Sequence, residues 1–209
     1  PVGVVVDPVN HLAAAIEEVG NGTKYKFAVE KYRSVPTSTV QVSTSDLTID
    51  ANKYLAQFAT SGYDETWNAS YTSSNVTGDK VKGNNPDFPA FYAAGRFRPS
   101  VALSGSLASK KWFLPSQQDY FHAYDLLGFA QDIMLIGSLT QRYRWYGYLF
   151  EKAFTDAGGK PFMTTEQDGY YWTSTAHSGG SRFWPIAREL YFPSEFSPLE
   201  FKVRAFVLY

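Results

Sequence analysis

No cysteine occurs among the 209 residues. Disulfides, thiolate zinc sites and cysteine nucleophiles are therefore excluded. Histidine is scarce: only His11, His122 and His177 are present, and no two have the spacing of a zinc-binding H-E-x-x-H pair. There is no G-x-S-x-G elbow, phosphate-binding P-loop or dinucleotide-binding glycine pattern. No apolar run approaches the ~18 residues of a membrane-spanning helix, and no secretory leader is readable. An excess of one charge is missing too, with 19 Lys and Arg against 20 Asp and Glu. A net charge of −1 offers no electrostatic basis for binding nucleic acid or for inserting this domain into a membrane.

Aromatic rings are abundant instead. The 15 Tyr, 16 Phe and 5 Trp residues make 17% of the chain, enough to stock a core and leave rings for a recognition surface. Three short anchors organise the second half: Trp112-Phe-Leu-Pro-Ser116, Tyr170-Tyr-Trp-Thr-Ser-Thr175 and Val203-Arg-Ala-Phe206. Between the last two lies the loop-rich segment 176–202, with rings and basic groups set among Gly, Ser and Pro.

Local patterns predict a strand over 3–6, a short helix from Asp7-Pro8 to Glu18, and a strand over 25–29. Residues 34–48 read as extended or loop. A helix is predicted from Asp50 to Thr60, with Gly62 as its stop. The polar stretch 61–89 reads as a long excursion pinned by Tyr63, Trp67 and Tyr71. A short helix follows over 88–97, packing Phe91, Tyr92 and Ala94. Trp112–Leu114 is a strand, and Ser116 with Asp119 forms a capping-box pattern for a helix whose apolar side is Phe121, Tyr124, Leu126 and Leu127. A second helix spans about 139–154 and ends at Gly158-Gly159. Strands are expected over 170–175, 182–191 and 200–208. The whole is read as a single domain, 1–209, of α+β class with helices segregated from a mostly antiparallel sheet.

The anchors resemble those of a C-type-lectin-like domain common in surface proteins of gut bacteria, the Fibrobacter-type major paralogous kind. That group carries a W-Y-L-P-S segment opening a helix, a Y-W-S-S-T segment and a closing V-R-x-V-R-A-F strand. The resemblance implies paired N- and C-terminal strands, two or more helices packed on the sheet, and a long loop region forming the ligand face. In the retroelement-diversified variable proteins that share this fold, the variable residues lie where 176–202 stands here. Two departures are visible: Ala176 or His177 replaces the usual Glu after the Y-W segment, and Phe201-Lys202 replaces the first V-R. Calcium-dependent lectins of this fold use Glu-Pro-Asn and Trp-Asn-Asp segments, and neither occurs at the matching positions. No metal and no cofactor are expected, and Asn84-Asn-Pro-Asp87 is read as a turn.

Trp112 and Trp172 are read as core, and Arg204 as a buried arginine paired with a carboxylate or backbone carbonyls. His122 is read as surface or core, and Asp119, Asp125 and Glu151 as capping or solvated groups. No catalytic residue is assigned. The candidate ligand-binding residues are His177, Arg182, Trp184, Arg188, Tyr191 and Phe196, since rings and guanidinium groups supply large contact area with few rotors. The expectation is a non-enzymatic, extracytoplasmic binding module. It would sit at the cell surface or on an outer-membrane anchor, as the C-terminal part of a longer protein, and recognise a glycan or protein. The alternatives are a structural or tip subunit assembling with other surface subunits, and a polysaccharide hydrolase, which needs two facing carboxylates.

Overall fold

The computed structural model describes residues 1–33, 35–42, 60–127, 148–161, 170–177, 182–186, 195–196 and 199–209. Alternation of side chains across four short strands sets the architecture. These are β1 (Gly3–Asp7), β2 (Leu12–Ala15), β5 (Trp112–Phe113) and β10 (Phe206–Leu208), hydrogen-bonded in the order β1-β2-β10-β5 with every pair antiparallel. Trp112 and Val207 point into a cluster with Phe27, Phe88, Phe91 and Trp172, whereas their neighbours Phe113 and Phe206 join Tyr120, Phe154 and Tyr171 on the other side. A sheet apolar on both faces must be covered on both.

Four α-helices are described: α1 (Gly62–Trp67), α2 (Pro89–Gly95), α3 (Gln117–Leu127) and α4 (Tyr148–Asp156). Phe91 and Ala94 of α2 cover the first face, while Tyr120 and Ala123 of α3 and Phe154 of α4 cover the second. A two-stranded ladder pairs β3 (Tyr25–Lys26) with β9 (Glu200–Phe201). A second four-stranded sheet runs β4 (Gln41–Val42), β6 (Tyr171–His177), β7 (Arg182–Ile186) and β8 (Glu195–Phe196); only its β4–β6 pair is parallel. The class is α+β with mostly antiparallel sheet. No helix among the described residues is long and apolar enough to cross a membrane.

Three sequence expectations are corrected. The segment 8–18 is not helical: Leu12–Ala15 is the second strand of a hairpin. The Asp7 carboxylate accepts from the Val9 and Asn10 N–H groups, and His11 takes a left-handed φ of 54°, so the chain reverses before its alanines can propagate a helix. Those small residues then lie between β1 and β10, where ladder bonds outweigh intrinsic helix propensity. Second, the terminal strands share a sheet without being neighbours, because β2 stands between them; Tyr209 N–H donates to the His11 carbonyl at 2.9 Å. Third, Gly62 opens a helix instead of stopping one. A Cβ there would lie 2.6 Å from both the Leu114 carbonyl oxygen and the Ser116 nitrogen, so only glycine allows this approach. The expected helix over 50–60 lies outside the described residues except for Thr60, as does the 139–147 portion of the second one.

Other expectations hold. Ser116 Oγ accepts from Asp119 N–H at 3.1 Å and Asp119 Oδ2 accepts from Ser116 N–H at 2.7 Å, which is the reciprocal capping box. Tyr63 meets Phe113 edge-on, and Trp67 Nε1 donates to the Trp112 carbonyl, which pins the 61–89 excursion to β5. Asn85 Oδ1 accepts from Asp87 N–H, an Asx turn in the Asn84–Asp87 stretch.

Candidate functional site

The three anchors are parts of one frame. Pro115 ends β5's extension, and its carbonyl accepts from Ser174 N–H at 2.8 Å. The Gln117 N–H, an orphan donor at the start of α3, donates to Thr175 Oγ1 at 3.0 Å. Thr173, Ser174 and Thr175 are wholly buried, and the Thr175 side chain meets this helix start. Trp172 fills the core, and its indole N–H donates to the Tyr25 carbonyl at 2.6 Å. Arg204 is also fully buried. Its guanidinium donates to the carbonyls of Ile16 at 2.7 Å and Lys160 at 3.2 Å, with longer contacts to those of Ala15 and Pro161.

A charge buried that deeply needs a counter-charge. Glu18 supplies it from a site of 7% exposure, accepting from the Tyr171 hydroxyl at 2.6 Å with Lys202 Nζ at 3.2 Å. Burial alone would push the Glu18 carboxyl up, but Tyr171, Arg204 and Lys202 together hold it below its ordinary value.

The predicted ligand segment hangs from this frame. It leaves along β6 and returns at Lys202, where the Trp172 N–H donates to the Lys202 carbonyl and the Lys202 N–H to the Tyr170 carbonyl. Ala176 stands opposite Phe183 across β6 and β7, and Arg182 pairs with Phe196 across β7 and β8. His177 pairs with Val42 of β4 on the other side of β6, so His177, Arg182 and Phe196 belong to one sheet. Trp184 lies two residues further along β7. Arg188 and Tyr191 lie outside the described residues.

A second concavity was not singled out from the sequence. It is a groove of about 690 Å³ lined in part by Trp67, Arg96, Arg98, Lys110, Lys111 and Trp112. Its floor is built by close packing: a Cβ on Gly83 or Gly95 would come within 2.9 Å of the Trp67 ring, so both glycines let the indole lie against the backbone. Arg96 is oriented by stacking 3.5 Å from the Tyr92 ring centre and by donating to the Gly83 carbonyl at 2.7 Å. Arg98 donates to the Phe97 carbonyl at 2.8 Å, and Lys111 Nζ sits 4.9 Å from the Trp67 ring centre. The signal that could have found it was two basic clusters, Arg96-Phe-Arg98 and Lys110-Lys111, flanking a loop of small residues.

The wall behind the groove is stiffened by a buried ion pair. Lys82 Nζ lies 2.6 Å from Glu65 Oε2, at 1% and 0% side-chain exposure, and Ser38 Oγ donates to Glu65 Oε1 at 2.5 Å. Burial pushes the Glu65 carboxyl up against the opposing pull of Lys82 and Ser38. Among the described residues no carboxylate lines the groove, so they supply no facing acids for glycoside hydrolysis there. His122, itself 42% exposed, places Nδ1 3.5 Å from Oδ2 of the buried Asp7. Among the described residues no group of three or more His, Asp or Glu side chains could hold a metal ion. No family model, no curated protein and no solved structure matches the chain.

Proposed function

We propose that this chain is a non-enzymatic, extracytoplasmic binding module with a C-type-lectin-like fold that recognises a glycan or protein ligand through the 176–202 segment. The supporting observation is the closure of that segment at its base. Both of its ends are held by the core, through buried Thr175 on one side and buried Val203 on the other, and Lys202 is hydrogen-bonded to Tyr170 and Trp172. A segment clamped this way can change sequence and shape without disturbing the fold, which suits recognition by a displayed surface. The anchors Trp172 and Arg204, on either side of the segment, are wholly buried.

The test is a glycan array and a surface-protein panel screened with the purified chain and with Arg182→Ala and Trp184→Ala. Each substitution is expected to weaken binding of the selected ligand roughly 10-fold or more, as for an interface hot spot. Their denaturation midpoints should stay at the parent value. Equal binding by both variants, or loss of fold in both, refutes the assignment. Concentration-dependent light scattering with no ligand selected would favour the assembly-subunit alternative.

A further inference from the structure

We propose that the groove between α2 and the 99–111 loop is a separate site for an acidic oligosaccharide, one bearing carboxylate or sulfate groups. It uses no residue of the 176–202 segment and does not rest on the function assigned to that segment.

The charge arrangement carries the inference. Arg96, Arg98, Lys110 and Lys111 all line the groove, and among the described residues no Asp or Glu does. The chain as a whole is nearly neutral, with 19 basic and 20 acidic residues, so this is local segregation of charge and not a compositional excess. Lys31, Arg33, Lys82, Lys152, Lys160 and Lys202 each lie against a carboxylate, whereas the four groove cations have none among the described residues. Glu17 reaches the same loop at Ser100, where its carboxylate accepts from the Ser100 N–H and hydroxyl, and it makes no ion pair with the four cations. Cations gathered in a concavity without counter-ions repel one another, and an anionic ligand relieves that repulsion.

The remaining lining chemistry selects a saccharide among anions. A volume of about 690 Å³ is far larger than one phosphate or sulfate needs and falls in the range of ligand pockets. Asn84 and Ser109 add neutral hydrogen-bonding groups suited to hydroxyls, and Trp67 adds a ring for the C–H face of a sugar. Arg96 and Arg98 are held by single carbonyl contacts, so most of their N–H donors remain for a carboxylate or sulfate.

The experiment is calorimetric titration of the intact chain with four probes of matched size. These are a uronic-acid tetrasaccharide, a sulfated tetrasaccharide, their neutral counterpart and a short single-stranded oligonucleotide, with inorganic sulfate as a fifth arm. One or both acidic saccharides should bind, at least tenfold tighter than the neutral one, and affinity should fall about tenfold between low and high salt. Which of the two binds better tells carboxylate from sulfate. Arg98→Ser with Lys110→Ser should weaken binding about tenfold, and Ser109→Glu should abolish it, while Lys152→Ser has no effect. Arg98, Ser109 and Lys110 are all exposed and outside the core, so circular dichroism should be unchanged. Binding of neither acidic saccharide, equal binding of the neutral one, or retention of affinity in the groove variants overturns the proposal. Tighter binding of the oligonucleotide, or inorganic sulfate matching the saccharides, overturns the saccharide assignment. Loss of binding by Arg182→Ala but not by the groove variants would place any site in the other segment.

Discussion

Replacing Lys82 with methionine removes one half of a dry ion pair and leaves the other half in place. In the native protein Lys82 Nζ and Glu65 Oε2 are 2.6 Å apart, and the two side chains are 1% and 0% exposed. The surface pair Lys152–Asp156 has the same 2.6 Å separation at 49% and 61% exposure. Distance is thus held constant while burial differs from nearly complete to about half exposed. A helical surface pair contributes about 0.3–0.5 kcal/mol. Breaking a buried pair costs about 3–5 kcal/mol, because the remaining charge keeps its desolvation penalty without its partner. For a chain of this size that corresponds to a fall of roughly 6–20 °C in Tm. Glu65 can escape part of the cost by taking a proton, so the deficit in Lys82→Met should shrink as pH is lowered. The double variant Glu65→Leu/Lys82→Met should recover most of the loss, since neither charge remains buried. Urea denaturation of both single variants, the double variant and Lys152→Met checks this. A cost below about 1 kcal/mol for Lys82→Met, or equal costs for Lys82→Met and Lys152→Met, would refute the burial argument.

Arg204→Lys should fail to rescue Arg204→Met, because one ammonium cannot span the carbonyls of Ile16 and Lys160 that the guanidinium bridges; both should lose about 3–5 kcal/mol by chemical denaturation. Stability within 1 kcal/mol of the parent in Arg204→Lys would show that the fork geometry is unimportant. The pH response of the α3 cap is predicted to run opposite to ordinary acid denaturation. Burial raises the Asp119 pKa from 3.8 to about 6, despite hydrogen bonds from Ser116 and Gly62. The folded state therefore holds that proton more tightly than the unfolded chain, and the contribution rises as pH falls through about 6 toward 3.8. Allowing for the half-buried position of the residue, the parent should gain about 1–2 kcal/mol over Asp119→Asn between pH 7.5 and 4.5. A gap that is flat with pH would remove the claim. Glu18 acts in the reverse direction: its depressed pKa means that its stabilisation, present above the ordinary carboxylate range, is lost as pH drops through the folded value. Glu18→Gln should accordingly show a shallower loss of stability in acid than the parent.

The start of α3, the buried rings and the frame were legible because each rests on local chemistry. Ser116 and Asp119 are three residues apart, so the capping box could be read without knowing the fold. Trp112, Trp172 and Arg204 stand in apolar runs that only a core accommodates, and all three are buried. What could not be read required partners distant in sequence. Ala13, Ala14 and Ala15 favour a helix by propensity, and became a strand because β10 arrives from the other end of the chain to pair with them. Gly62 looked like a helix stop, until Leu114 and Ser116 packed against its α-carbon and made it a helix start. The paired anchors themselves conceal a contact that no spacing reveals, since Thr175 accepts a hydrogen bond from Gln117, 58 positions away.

The groove makes the same division. Composition and pattern settle that this chain has a ring-rich core, mostly antiparallel strands and no cysteine chemistry, because those follow from residue type and short-range periodicity. They do not settle that Trp67 lies against Gly83 and Gly95, that Glu65 neutralises Lys82, or that Arg96, Arg98, Lys110 and Lys111 share one concavity with no carboxylate in its lining among the described residues. Charge complementarity and close packing depend on distance through space, and only the folded chain sets that distance.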